Sequence, residues 1–443
     1  YKQCYEFCLT NMNNAREYEQ RIGLSADFSR EFFTLDPRLT EIVYSTFYKM
    51  FEEGFVYRDK RIINQCPNCH TALADIDTEH EERRGIFAYI VYPFVEESDR
   101  KKAKELFGVE GITVATTRPE TMLGDTAVAV NPKDKRYSQF VGKKVVLPIA
   151  NREIPVIAED TTDMELGTGA LKVTPAHSPV DFEIGKKHSL PIVNVINEEG
   201  KMTGSIPERF VGMGTTECSK ALCKELDDLG LLVKIENIKH EVVICERCKS
   251  AIEPIISNQW YLNVESLAKR ALEALKRGDV SVVPKGQQKA LEYFYENIQP
   301  WCISRQLWWG QRIPVWYSGG KKLYDWLLEN KGKNISDFEK EFGTKVSGTG
   351  KVFLGEQPPK SEPGEVWEQE TDVFDTWFSS GQWPYTTLGG PDGDDFKKYY
   401  PTQMMIHGRD ILFWWTASML MYGLYRTNQG PYTVAILTGI LLT

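Results

Sequence analysis

The apolar positions of this chain change period from helical to strand-like and back. Tyr1, Tyr5, Cys8, Leu9 and Met12 recur at helical spacing and predict a core helix that Gly23 stops. A second core helix is predicted with Asp36 as cap, Pro37 at its first position and Leu39, Ile42, Val43, Phe47, Met50 and Phe51 along one face. From about Gly85 the pattern becomes strand-like: Phe87–Val91, Gly111–Thr116, Ala127–Val130, Lys144–Pro148 and Ile154–Ala158, separated by Gly, Pro and Asn turns. This predicts a compact β-rich domain of barrel type that closes after a helix over Thr215–Gly230. Around Leu171 and Val173 the alternation predicts a further strand, ending in a turn made rigid by Pro175 and Pro179. Residues 318–363 are rich in Lys, Gly and Glu and read as an insertion with one amphipathic helix and loose ends. Beyond them an apolar run, Ile411–Tyr425, predicts a buried helix, and Val434–Leu442 a strand.

Composition narrows the class. A chain of 443 residues exceeds one ordinary core and predicts several domains. The run at 411–425 spans about fifteen residues, short for a bilayer, and charged Arg409, Asp410 and Arg426 flank it. The net charge of −9 argues against bulk attraction to nucleic acid, although local basic patches stay compatible with it. Nine cysteines, an odd number, fit a reducing compartment better than a disulfide framework. Tyr1 stands where a Met is expected and no leader pattern follows, so a segment of a longer chain without a secretory signal is expected.

Two features carry chemistry. Cys66-Pro-Asn-Cys69 and Cys245-Glu-Arg-Cys248 bracket the β-rich block, and two CxxC pairs in turn-like context match the halves of one tetrahedral Cys₄ zinc site. Four thiolates leave no open position, so the metal is expected to be structural. The second feature is GTGALKVTPAHSPVD, 167–181, which places Lys172, Thr174, His177, Ser178 and Asp181 at one strand end. A cation, a hydroxyl, an imidazole and a carboxylate leaving one edge suit a pocket for an amine and an ester. Taken alone, the stretch is equally compatible with a polar loop.

Several stretches together resemble the valyl-tRNA synthetases: ATTRPETMLGDTAVAV (115–130), GTGALKVTPAH (167–177), WCISRQLWWGQRIPVWY (301–317), DTWFSSGQWP (375–384) and GRDILFWW (408–415). The resemblance covers nearly the whole chain apart from 318–363. The isoleucine and leucine enzymes share the architecture but differ at the first stretch. The resemblance implies an α/β fold: an incomplete Rossmann-type class I catalytic core interrupted by an inserted β-barrel-like editing domain. Its expected divisions are 1–84 with the first half of the zinc clip, the insert at 85–240, 241–317 with the second half, the variable insertion 318–363, and the second catalytic half 364–443. It further implies ATP and Mg²⁺ for the complete enzyme, tRNA(Val), valine and threonine as partners, a monomer, and a cytoplasmic location away from membranes. The HIGH and KMSKS signatures that hold ATP are absent from these 443 residues, so the polypeptide is expected not to aminoacylate by itself.

In the implied editing site, Thr116, Thr117, Arg118 and Glu120 line the groove for the terminal adenosine. Lys172, Thr174 and Asp181 contact the misattached amino acid, Asp181 pairing its ammonium group. His177 is a candidate general base, with a backbone-held loop histidine as the equally weighted alternative. In the implied synthetic site, Trp377, Asp410, Ile411 and Trp415 form a wall of the valine pocket. The chain departs from the family at Ser178, where a carboxylate is frequent, and at Leu166, where an aromatic is common; both suggest a weaker editing site or one that leans on Asp181. No cysteine follows Tyr317, so a single zinc is expected. The competing readings are a catalytically inert, zinc-stabilised tRNA-binding fragment and the isoleucine-specific sister enzyme. An unrelated zinc-stapled binding module is opposed by the aromatic motifs.

Overall fold

A computed structural model describes residues 1–74 and 77–439. Within it the chain forms two compact units, one from 1–59 and 258–443 and the other from 60–257. The second unit is wider than the 85–240 stretch, because two long paired strands run on to the cysteines and carry them with it. Those strands, Thr78–Pro93 and Leu232–Cys245, stay in antiparallel register from Thr78↔Cys245 to Ile90↔Leu232, with one irregularity at Tyr89/Ile90. Their outer ends lack apolar alternation and are held by cross-strand charges such as Lys239 to Glu82 at 2.6 Å, so the polar segment from Thr78 is strand as well.

In the 60–257 unit, Gly111–Thr116 adds to this pair as a third strand. A four-stranded sheet runs in the order Lys144–Leu147, Arg152–Ala158, Ala127–Val130, Ala170–Val173. Its central pair, 127–130 with 152–158, is parallel; the other pairs are antiparallel. Between the sheets and the helix Thr215–Asp228 lies one apolar core that includes Ile90, Tyr92, Val114, Val128, Phe140 and Leu222, each fully buried.

The other unit is built on helices around a small parallel sheet. Pro37–Glu52 begins as the pattern predicts: the Asp36 carboxylate accepts from the Arg38 N–H at 3.0 Å, Pro37 opens the first turn, and Leu39, Val43, Phe47 and Met50 are buried. Strand Tyr432–Thr438 lies between Ser281–Val283 and Thr402–Gly408, parallel to both. Residues 440–442 of the run predicted as strand lie outside the described residues, as do Asp75 and Ile76 of the polar segment.

Three expectations for this unit are corrected. The first helix, Lys2–Arg21, buries none of its residues. Its polar residues surround the apolar stripe, whose ring contacts are Tyr1 and Tyr5 on Trp309, centroids 4.9 and 6.4 Å apart, and Tyr5 on Phe33 at 5.8 Å. The insertion is folded, not loose. Val352–Leu354 and Trp367–Gln369 flank Val315–Ser318 in a sheet, and helices Lys321–Glu329 and Ile335–Phe342 close on a core of Leu323, Trp326 and Phe338. The run at 411–425 is not one α-helix: Arg409–Ile411 is a 3₁₀ turn, Leu412–Thr416 a π turn, and the α-helix proper is Ala417–Thr427. The wider turn coincides with Phe413-Trp414-Trp415 and with the Ser418 hydroxyl donating to the Trp414 carbonyl, both of which compete with regular i→i−4 bonding. Among the described residues no helix is long and apolar enough to cross a membrane.

Candidate functional site

The 60–257 unit concentrates its buried polar groups at the end of strand Ala170–Val173. The turn before this strand needs glycine: Gly169 has φ +80°, and a Cβ there would lie 2.8 Å from the Met164 carbonyl oxygen. Lys172 and Thr174 are two residues apart and so share one face. The Lys172 ammonium donates to the Thr174 hydroxyl at 2.6 Å, to the Thr121 hydroxyl at 2.8 Å and to Asp125 Oδ1 at 3.3 Å. Those are all the donors a lysine has. Thr174 in turn donates to Asp125 Oδ1 at 2.5 Å. Asp125 is fully buried, and its Oδ2 accepts from the Tyr92 hydroxyl at 2.7 Å. Burial pushes its carboxyl up from the ordinary range, and Lys172 opposes this.

After Thr174 the prolines turn the chain into the helix Pro179–Lys187. Ser178 caps it, its hydroxyl accepting from the Asp181 N–H at 3.3 Å. Asp181 Oδ2 reaches back to accept the Thr174 N–H at 2.8 Å, and the Ser178 side chain also bonds the Asp181 carboxyl. Burial pushes this carboxyl up too, with Lys172 and these two hydrogen bonds opposing. A carboxylate accepts up to about four hydrogen bonds, so Asp181 keeps acceptor capacity, while the Lys172 and Thr174 donors are satisfied internally.

A second cluster adjoins the first. Arg118 donates to Glu120 Oε1 at 3.2 Å, to the His177 carbonyl at 3.2 Å, and to Glu253 in a close ion pair; its own N–H donates to the Thr116 hydroxyl at 3.0 Å. Glu120 is 6% exposed and burial pushes its carboxyl up, so it braces Arg118 inside the protein and does not line an open groove. Thr117 is exposed beside it, and Leu166 is exposed on the turn ahead of Gly167. Together the clusters hold three cations, Lys172, Arg118 and Arg152 beside Asp125, against four carboxylates, Asp125, Asp181, Glu120 and Glu253, a surplus of one that favours a cationic ligand group.

Both ring nitrogens of His177 have backbone partners, as in the loop-histidine alternative. Its ring is 98% buried, with Nδ1 at 3.1 Å from the Pro254 carbonyl and Nε2 accepting the Val195 N–H at 3.0 Å. The Pro254 contact requires the proton on Nδ1, and Nε2 is then already used. Burial holds the imidazole neutral, its pKa lowered to about 3. The ring fastens the loop between two distant backbone segments.

Sequence reasoning missed Asp125, Thr121, Tyr92 and Glu253. The available signal was Asp125 standing two residues before the wholly apolar Ala127–Val130: a carboxylate at the mouth of a buried strand needs a partner. Register supplies it, because Ala127 pairs with Val173 and Val128 with Lys172.

The cysteines converge. Cys66, Cys69, Cys245 and Cys248 bring their sulfurs within 4.8 Å of one another, with Cys66 and Cys248 at 3.4 Å. Tetrahedral coordination with metal–sulfur bonds of about 2.3 Å needs sulfurs about 3.8 Å apart, so these four can hold one metal ion. The two halves are built alike. The N–H of His70 donates to the Cys66 carbonyl at 2.9 Å and that of Lys249 to the Cys245 carbonyl at 2.8 Å; both residues are left-handed, φ 54° and 60°.

In the other unit Trp377 and Trp415 meet edge to face, centroids 6.0 Å apart. Asp375 fixes the first of them: it caps the short helix Thr376–Ser380 through the Trp377 N–H at 2.7 Å and pairs with buried Arg305. Ile411 is half-buried and Asp410 exposed in the 3₁₀ turn. The Asp410 carboxylate lies over Gly408, where a Cβ would come 2.3 Å from Oδ1, so only glycine admits this approach.

The family of tRNA synthetases class I (I, L, M and V) matches residues 1–443. The chain is 43% identical over 437 residues to the valine–tRNA ligase of Clostridium acetobutylicum, covering 96% of this chain and 45% of that protein. It is 42% identical to the corresponding protein of Bacillus subtilis (95% and 43% covered) and 44% identical to that of Geobacter sulfurreducens (94% and 43% covered). The chain thus spans less than half the length of these relatives. A crystal structure of a LeuRS–tRNA–LeuAMS ternary complex from Agrobacterium radiobacter K84 aligns with TM-score 0.40 and 14% identity, over 98% of this chain and 56% of that one. The chain belongs to the class I tRNA synthetases of the I, L, M and V group.

Proposed function

We propose that this chain is part of a valine–tRNA ligase and carries its editing hydrolase in the 60–257 unit, removing threonine from mischarged tRNA(Val). A hydrophobic synthetic pocket rejects an isostere that only adds a hydroxyl poorly, and valine against threonine in this enzyme class is the usual illustration. A second, polar site has to complete the discrimination. The observation that carries the reading is Asp181: a largely buried carboxylate bonded by Thr174 and Ser178 with acceptor capacity to spare, beside hydroxyls and an excess of negative charge. It suits the ammonium group of an aminoacyl ester. The Lys172–Thr174–Asp125 network makes the surroundings of Asp181 polar and supplies none of the apolar contact that valine requires.

Water attacks the ester carbonyl carbon, and the ribose oxygen leaves with the proton. His177 takes no proton in this reading. The water is held by the site's polar groups and by a neighbouring ribose hydroxyl of the substrate. Thr117 and Thr116 mark the edge toward the terminal adenosine, with Arg118 fixed between Glu120 and Glu253. In the other unit, Trp377, Ile411 and Trp415 bound a small apolar pocket for valine, and exposed Asp410 is placed to take the valine ammonium. ATP, Mg²⁺ and tRNA(Val) are required by the whole ligase. The tetrathiolate set suits zinc, which closes the base of the long strand pair as a structural ion.

The test is hydrolysis of threonyl- and valyl-tRNA(Val) by this polypeptide beside Asp181→Ala. Selective loss of the threonyl ester is expected, slowed roughly tenfold to a hundredfold in the variant, as for loss of a hydrogen bond to a charged group. Equal rates for the two proteins, or equal rates on the two esters, would refute the assignment. Ser178→Asp preserves the helix cap, since Asp caps as well as Ser, and adds a carboxylate three residues before Asp181. Faster threonyl-ester hydrolysis is expected from it, and an unchanged rate sinks the idea that Ser178 weakens the site.

A further inference from the structure

We propose that Tyr92 is a positioning residue of the deacylation site, holding Asp125 from below so that Asp125 can hold Lys172 and Thr174. The inference rests on the deacylase reading above. Tyr92 lies on the strand Thr78–Pro93, far in sequence from the 167–181 stretch, and is fully buried in the main core of its unit. A buried tyrosine hydroxyl needs a partner, and this one donates to Asp125 Oδ2 at 2.7 Å. Oδ1 of the same carboxylate accepts from Thr174 at 2.5 Å and from Lys172 at 3.3 Å. Both oxygens are thereby committed, and the carboxylate plane is set by groups on opposite sides of it. Arg152 fixes the turn itself, donating to the Leu123 and Asp125 carbonyls at 3.0 and 2.9 Å.

The consequence reaches the Asp181 carboxylate. Thr174 is fixed through its hydroxyl by Asp125 and Lys172, and through its N–H by Asp181 Oδ2. The chain Tyr92–Asp125–Thr174–Asp181 thus runs from the core to the carboxylate that takes the substrate ammonium in this reading. The charged and titratable groups facing Asp125 are Lys172, Arg152, Asp181 and Tyr92 itself. Of these, Tyr92 is the neutral donor, so its hydroxyl favours the ionised carboxylate without adding charge. Without it, Asp125 gains a proton more readily, and a protonated Asp125 no longer balances the Lys172 ammonium.

The experiment compares wild type, Tyr92→Phe and Asp125→Asn in the full polypeptide. Threonyl-tRNA(Val) hydrolysis is followed from pH 6 to 8.5, together with the thermal midpoint and the ¹³C titration of the Asp125 carboxyl, assigned by its absence in Asp125→Asn. Tyr92→Phe is expected to melt a few degrees below wild type, to hydrolyse roughly tenfold more slowly near neutrality, and to regain rate as pH rises. Its Asp125 titration is expected to move upward. Asp125→Asn is expected to be slow at every pH. A Tyr92→Phe rate and profile equal to wild type overturns the proposal. A loss independent of pH with an unmoved Asp125 titration also overturns it, since Tyr92 would then act only by packing. If wild type hydrolyses neither ester, the deacylase reading falls instead, and the carboxyl titration still decides whether Tyr92 sets the state of Asp125.

Discussion

Replacing Cys66 or Cys245 by serine is expected to abolish stoichiometric zinc and to open one end of the 60–257 unit. Both cysteines are fully buried and close the cluster from different chain segments. The apolar contacts around them are few: Leu73 and Ile252 are the other buried members of the cluster. Beyond the strand pairing that ends at Thr78↔Cys245 and Cys66↔Thr71, a bound ion would be the main tie at this end. Structural zinc binding is worth about 10–16 kcal/mol in small zinc modules, and most of it is lost when one thiolate is removed. The opening is expected to stay local, because the main core of the unit is separate from the cysteine cluster. Zinc content falling from one per chain to none, with new proteolytic cleavage near 66–74 and 245–252, is the expected result. Unchanged protease sensitivity in the metal-free variant would show that the strands hold without the ion.

Acidification is the second large effect. The His177 imidazole is neutral in the folded chain, its pKa lowered from 6.5 to about 3 because burial penalises the charged ring, with Arg118 and Lys172 adding repulsion. The unfolded chain binds this proton near 6.5. Between those values the unfolded state carries more protons, so stability is complete above about 6.5 and falls as pH drops toward 3. The slope is about 1.4 kcal/mol per unit at full effect, or about 2 kcal/mol lost by pH 5. Asp125, Asp181 and Glu120, whose carboxyls burial pushes up, act in the opposite sense at low pH, so the difference from a His177 variant isolates the term. His177→Ala is expected to cost about 2–5 kcal/mol at pH 7.5, because it leaves a cavity, the Val195 N–H and the Pro254 carbonyl unsatisfied, and to flatten the acid limb.

All eleven tryptophans lie in the other unit, so fluorescence does not report this event. Exchange of the Val195 amide does, since His177 is its acceptor. Protection of that amide that is independent of pH between 6.5 and 5 in wild type would contradict the mechanism. The same measurement separates His177 as a structural tie from His177 as a base: a base leaves Val195 protection unaltered when removed.

Local chemistry made parts of this molecule legible from its sequence. The helix from Pro37 carries its cap, its first-turn proline and its apolar face within one short stretch. Gly111–Thr116 and Ala127–Val130 alternate or run apolar between turn residues and form strands with those limits. Other elements were illegible for stated reasons. The outer end of the strand beginning at Thr78 shows no alternation because both its faces are largely exposed and cross-strand charges such as Lys239 to Glu82 support it. The insertion was read as loose because its small core, Leu323, Trp326 and Phe338, is dispersed among lysines and glycines. The first helix carries an apolar stripe, yet nothing covers it enough to bury a residue.

At the candidate site the division is sharper. The sequence by itself determined which residue types arrive together at the end of strand Ala170–Val173, that two CxxC pairs belong to one cluster, and the family. Only the tertiary structure decided which of those groups have hydrogen-bonding capacity left. Lys172 and Thr174 are spent on Asp125, His177 on Pro254 and Val195, and Glu120 braces Arg118, while Asp181 keeps acceptor capacity beyond its bonds from Thr174 and Ser178. The physical reason is that a polar group's availability is set by its partners and its burial. Here Tyr92, Asp125, Val195 and Glu253 come from strands and turns remote in sequence, so no local pattern encodes the outcome.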